Sequence, residues 1–257
     1  MRRSVAQRAS WYGLVNSSFR TNLPGRLSIV SRVTHNAGMT QRGAARLAWG
    51  ISLACFAIAG ASGILWYLTR SVPSAGNGGG SNLIPAVTFA ALGGLVASRQ
   101  PKNPVGWLML TIATGTGLSG LTANMSMRAL LTGADPGGWV VWPAWVSDWA
   151  SNLALGALVL ILLLFPDGKP LSRRWRWIVG STVVVFGIFT LGTALDPARV
   201  ALARGLPHLT NPVGVEAFRG FNNSPVFLAI MLLLLVGAVG LLLRLRRSRG
   251  DERQQLK

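Results

Sequence analysis

Six runs of apolar residues, separated by short charged or glycine-rich breaks, decide what this chain can fold into. They cover residues 47–69, 82–98, 104–125, 146–165, 177–195 and 224–243, and no ionisable side chain lies near the middle of any of them. About 20 apolar residues in helical form cross the hydrocarbon core of a bilayer, since each adds about 1.5 Å along the axis. Membrane strands are about half as long and alternate with period two, which these runs do not. The expected fold is therefore all-α, a polytopic integral membrane bundle of about six transmembrane helices. Pro85 falls in the first turn of the second run, where a missing N–H costs nothing.

The breaks fix an expected orientation. The chain carries 25 basic and 7 acidic residues, a net charge of +18 that on a soluble protein would suggest nucleic acid. Here the charge lies between apolar runs rather than on one soluble face, so no nucleic-acid partner is expected. With the N-terminus inside, every basic residue except Arg70, Arg128, Arg199, Arg204 and Arg219 falls on the cytoplasmic side. This follows the positive-inside rule, and both termini are expected in the cytoplasm. Burying Lys169, Arg173, Arg174 and Arg176 would cost about 2.5–3.5 kcal/mol each, so their turn must lie outside the hydrocarbon.

Three segments result: a basic arm over 1–43, a membrane domain over 44–243 and a basic cytoplasmic tail over 244–257. The arm has no acidic residue and no apolar run of spanning length. MTQRGAARLAWG reads as a short basic lead into the first helix, so a start at Met39 is expected. Outside, SAGNGGGS makes a flexible connection without a recognisable site. Trp139, Trp142, Trp145 and Trp149 recur at helical spacing and read as an aromatic belt at the outer interface, with a ligand-facing patch as the sharper alternative. The longest external loop, 196–223, is the natural place for a ligand contact; its His208 reads as an ordinary loop residue.

Small residues four apart mark where helices should touch: Ala86, Ala90 and Gly94; Ala113 and Gly117; Thr116 and Gly120. Gly60, Gly63, Gly237 and Gly240 add to this set. In lipid, association depends on close packing, and such ridges let backbones approach. Cys55 lies inside the first run and reads as a small buried hydrophobe; a lone cysteine forms no internal disulfide.

The chemistry of turnover is missing from the sequence. Proton relays and ion-coupled carriers place acids or broken helices at mid-membrane, and none is visible here. One Cys with His35 and His208 makes no conventional metal cluster, and there is no phosphate-binding loop. No catalytic residue, cofactor or metal is expected, and the chain does not read as an enzyme.

What remains specific is a pair of inner turns. In ASRQPKNPVGW, Arg99 and Lys102 suit phosphates, Pro101 stops one helix, and Asn103-Pro104 opens the next. Gly106 follows, and Trp107 sits at headgroup depth. In LILLLFPDGKPLSRRWRW, Pro166, Asp167 and Gly168 make a tight turn, and Arg173, Arg174 and Arg176 face the anionic leaflet. These motifs, with the tail RLRRSRGDERQQLK, resemble the N-terminal membrane region of bacterial sensor histidine kinases common in actinobacteria. The resemblance covers roughly residues 45–257. It implies a multi-pass protein of the bacterial cytoplasmic membrane, acting as a sensor or input module of a two-component-like signalling protein.

The phospho-accepting helix and ATP-binding boxes of that family have no counterpart here, and neither His35 nor His208 matches the phospho-accepting histidine. The ending therefore reads as a cut through a longer protein. The expected partners are an anionic leaflet, a cytoplasmic signalling protein or kinase, and a second copy in a homodimer. The alternatives are a transporter or channel-like subunit of unknown substrate and a structural membrane partner.

Overall fold

The computed structural model describes residues 41–70, 80–197, 199–200, 209–221 and 225–255. The basic arm lies outside these residues except for 41–43, as do the start at Met39, His35, His208 and most of the glycine-rich connection. The described residues form an all-helical bundle of six long helices: α1 (Gln41–Thr69), α2 (Leu83–Arg99), α3 (Pro104–Leu131), α4 (Val141–Leu164), α5 (Trp175–Leu195) and α6 (Pro225–Gln255). A minimal antiparallel pair, β1 (Arg199–Val200) with β2 (Leu209–Thr210), lies between α5 and α6.

Several helices overrun the apolar runs that announced them. The first begins at Gln41 rather than at 47, because Ala44 and Ala48 already pack inward. Helix α3 continues to Leu131, and α4 starts at Val141 and takes in Trp142, Trp145 and Trp149. Helix α6 runs on from the last apolar run into the basic tail, as far as Gln255. Hydropathy marks where a helix meets lipid, whereas the backbone hydrogen bonds run on past that edge.

Five of the six helices are long and apolar enough to cross a membrane, as in a multi-pass membrane protein; α3 is the one that is not. The reason lies in its composition. Glycine, serine, threonine and asparagine occupy its inner positions, and it packs against α1, α2 and α4. Val105, Ile112, Ala154, Ala157 and Ile161 join α3 to α4. A second cluster of Val159, Leu163, Phe186, Phe189 and Ile230 joins α4 to α5 and α6.

The sorting of side chains is the reverse of a water-soluble core. Buried residues on α1 are Ala44, Ala48, Ser52, Cys55, Ala59, Ser62 and Thr69, a narrow stripe of small side chains. Large apolar residues point outward instead, Leu53 at 64% and Ile84 at 76% exposure. In water such a surface would be a liability; against acyl chains it costs nothing. The stripe lets backbones touch. A Cβ on Gly106 would lie 2.5 Å from the Ala97 amide nitrogen, and one on Gly115 would lie 2.8 Å from the Ala150 carbonyl oxygen.

Interior polar groups find partners close by. The hydroxyls of Thr114, Thr116 and Thr122 donate one turn back, to the carbonyls of Leu110, Ile112 and Leu118. Others cross between helices: Ser52 to the Ala90 carbonyl at 2.8 Å, and Ser119 to the Ser147 carbonyl at 2.9 Å. Asn124 donates to the Ser62 hydroxyl at 3.3 Å. Two buried atoms among the described residues have no protein partner, Asn124 Oδ1 and Trp149 Nε1.

These contacts rank the glycines. Gly115→Ala forces α3 and α4 apart and should lower stability in detergent by about 1–3 kcal/mol. Gly60→Ala should be neutral, because no atom lies within 4 Å of the added methyl group. Thermal unfolding of both variants checks this, and equal midpoints would refute the packing account.

Candidate functional site

The two turns singled out in the sequence meet at one end of the bundle. The first closes α2 through the Gln100 N–H on the Val96 carbonyl at 2.8 Å. Asn103 then caps α3, its Oδ1 accepting from the Val105 N–H at 3.0 Å, with Pro104 at the first helical position. The Trp107 indole N–H donates to the Pro101 carbonyl at 3.0 Å and holds the turn shut.

The second turn packs on the first. The Gly168 N–H donates back to the Leu164 carbonyl at 2.9 Å, and Gly168 has a positive φ of 70°. A side chain there would strain the backbone and would also drive into Pro104 and Asn103. Asn103 completes the contact, its Nδ2 donating to the Pro166 carbonyl at 3.2 Å. One residue thus caps its own helix and ties the turns together.

A third element joins them from the far end of the chain. Helix α4 ends with carbonyls that have lost their next-turn donors, and Pro166 can supply none. Arg244 on α6 fills that gap. Its guanidinium donates to the carbonyls of Leu163 at 2.7 Å and Lys169 at 2.8 Å, and also to Phe165. A cation at a helix C-terminus is further favoured by the axial dipole. In the sequence Arg244 is one charge among several in a basic tail. Its place as the first cation after the last apolar run was the only available signal.

The basic residues of the two turns, Arg99, Lys102, Lys169, Arg173, Arg174 and Arg176, are exposed, and Asp167 is the only acid in either turn. The opposite end gathers Asp135, Asp148, Asp196 and Glu216. There the tryptophans do not share one environment. Trp139 and Trp142 are more than half exposed, whereas Trp145 and Trp149 pack inward. Trp142, Trp145 and Trp149 stack edge to face at 6.2 and 5.7 Å, and the Trp145 indole donates to the Ala194 carbonyl at 2.8 Å.

The described part of the long loop at this end is pinned down. Asn211 donates to the carbonyls of Ala194 and Asp196, each at 2.8 Å, and Phe221 packs over Gly192. In the loop, the hydrogen bond from Arg219 holds the Glu216 carboxyl below its ordinary range. A carboxyl depressed in this way contributes to stability above the ordinary glutamate range, and loses that contribution as pH falls through its lowered value.

Among the described residues no group of three or more His, Cys, Asp or Glu is placed to hold a metal ion. What this end of the bundle offers is mechanical: three chain segments tied by one asparagine, one glycine and one arginine. No family model, curated protein or solved structure matches the chain.

Removing the arginine isolates its contribution. Arg244→Met keeps the aliphatic stem but leaves three carbonyls without their donor, and should cost about 1–2 kcal/mol at this partly exposed site. Arg244→Lys should recover only part of that, since an ammonium cannot reproduce the planar fork. Thermal unfolding in detergent reads both, and an unchanged midpoint for Arg244→Met would show that the contact carries no weight.

Proposed function

We propose that the chain is a membrane-embedded input module of a signal-transduction protein, residing in a bacterial cytoplasmic membrane. In this reading all six helices cross the bilayer, α3 shielded from lipid by its neighbours, and both termini are cytoplasmic. The charge asymmetry supports the orientation: exposed arginines and lysines crowd one end, and most acids lie at the other. The module performs no turnover of its own. It receives a stimulus from outside or from within the membrane, and passes a change in helix packing to a cytoplasmic partner.

The observation that carries this reading is the Arg244 contact. Helix α6 continues to Gln255, and at the point where its apolar part ends it is held to the α4–α5 turn. That turn is in turn held by Asn103 to the α2–α3 turn. A shift of α2, α3, α4 or α5 therefore reaches the segment that projects toward a partner. Such a relay needs a discrete contact that can be made in one state and broken in another.

Two measurements test it. Reporter fusions at residues 100, 170 and 250 should read cytoplasmic, and fusions at 75, 135 and 210 external; any other pattern would overturn the architecture. A chimaera joining residues 41–255 to a histidine-kinase core should change its basal output several-fold on Arg244→Gln and hardly at all on Arg246→Gln. Equal outputs from both variants, or solute flux through liposomes containing the purified protein, would sink the signalling reading.

A further inference from the structure

One face of α5 carries two hollows. The first is a cleft of about 400 Å³ bounded by Arg173, Arg176, Trp177 and Gly180. The second, of about 270 Å³, lies farther along the helix, where Val183, Gly187 and Thr190 meet Leu108 of α3 and Leu153 of α4. Steps of three and four residues from Arg176 through Gly180, Val183, Gly187 and Thr190 keep this row on a single helix face. Arg173, in the turn that precedes the helix, lines the first hollow with this row, whereas Arg174 is not part of its lining.

The two hollows differ in chemistry. Around the first, both guanidinium groups are exposed, and Trp177, at 83% exposure, stands beside them. No acidic residue occurs between Gly168 and Leu195, and among the described residues neither arginine makes an ion pair. The second hollow is almost wholly apolar. The Thr111 and Thr182 hydroxyls on its wall are already donated one turn back, to the Trp107 and Ile178 carbonyls. Gly180 and Gly187 have no atom within 4 Å of where a side chain would begin, which leaves the row open along its length.

We propose that this face of α5 seats one anionic phospholipid. Its phosphate would lie between Arg173 and Arg176, with Trp177 at the glycerol level, and one acyl chain would run over Gly180 and Gly187 into the second hollow. Charge complementarity selects the head, since paired guanidinium groups bind phosphate oxygens through several charge-assisted hydrogen bonds. Length agrees as well. From Arg176 to Gly187 the helix rises about 16 Å, close to the roughly 15 Å depth of one leaflet's hydrocarbon. A zwitterionic lipid would bring its own cation to the arginines and bind less well.

The proposal rests on the reading that places the α4–α5 turn at the cytoplasmic face. Its test is independent of that, because binding is measured on the purified full chain in detergent while the fusions report orientation. Phosphatidylglycerol should raise the unfolding midpoint by several degrees, and phosphatidylcholine or inorganic phosphate should not. The double variant R173Q/R176Q should weaken phosphatidylglycerol binding about tenfold or more. G187L should weaken it by filling the groove, and R174Q should leave it unchanged. Equal stabilisation by phosphatidylcholine, or by free phosphate, would overturn the site, as would equal losses in R174Q and R173Q/R176Q. If G187L dissociates an oligomer while the lipid effect persists, the face is a contact between two copies and the proposal fails.

Discussion

The structure depends on how closely helix backbones can approach when no water is present to drive them together. Acyl chains are as apolar as leucine, so burying leucine between helices gains little; tight van der Waals contact and satisfied polar groups must supply the attraction. The chain meets this by placing small side chains wherever two helices cross. Helix α3 gathers most of them, with Gly106 against Ala97 and Gly115 against Ala150. A helix built this way is too polar to look like a membrane span by itself, and its neighbours shield it. The same choice explains the outward-facing leucines and isoleucines, which are the solvent surface of a protein whose solvent is lipid.

Close packing creates a second requirement at the helix ends. Each helix leaves carbonyls unpaired at its C-terminus, and in a short turn the chain has few donors to offer them. After α4 the next residue but one is a proline, so the shortage is acute. Arg244 meets it from α6, and Asn103 answers the smaller need at Pro166. Both solutions are long-range, and for that reason they link segments that are remote in sequence. Coupling between the α2–α3 turn, the α4–α5 turn and α6 is a consequence of ordinary helix capping.

How much of this could be read from residues alone follows from range. An apolar run is a local signal, so the six helices and their approximate limits were legible. Their overruns at Gln41, Leu131 and Val141 were not, because hydrogen bonds and packing continue where hydropathy stops. Ridges such as Ala86, Ala90 and Gly94 were legible as contacts, since all three are buried. Gly60 carried the same local signature and touches nothing, for only the partner's position tells the two cases apart. The α2–α3 and α4–α5 turns stood out individually, yet nothing local says that Asn103 lies beside Pro166, or that Arg244 differs from its basic neighbours. Spacing likewise puts four tryptophans in one series, yet it cannot tell that Trp145 reaches the Ala194 carbonyl while Trp142 stays exposed.

Arginine therefore does separate physical work at one end of the bundle, according to what each guanidinium can reach. Arg244 is only partly exposed and directs its donors to backbone carbonyls, so its contribution is geometric and resists screening by salt. Arg173 and Arg176 are exposed and flank an open cleft, which is what the proposed lipid site requires of them. Arg99, Lys102 and Arg174 are exposed, and in the proposed orientation they contribute to the positive charge of the cytoplasmic end. A count of positive charges merges these three roles. Separating them turns a topological rule into a description of one end that is anchored by charge, shaped by capping and open to a lipid on a single helix face.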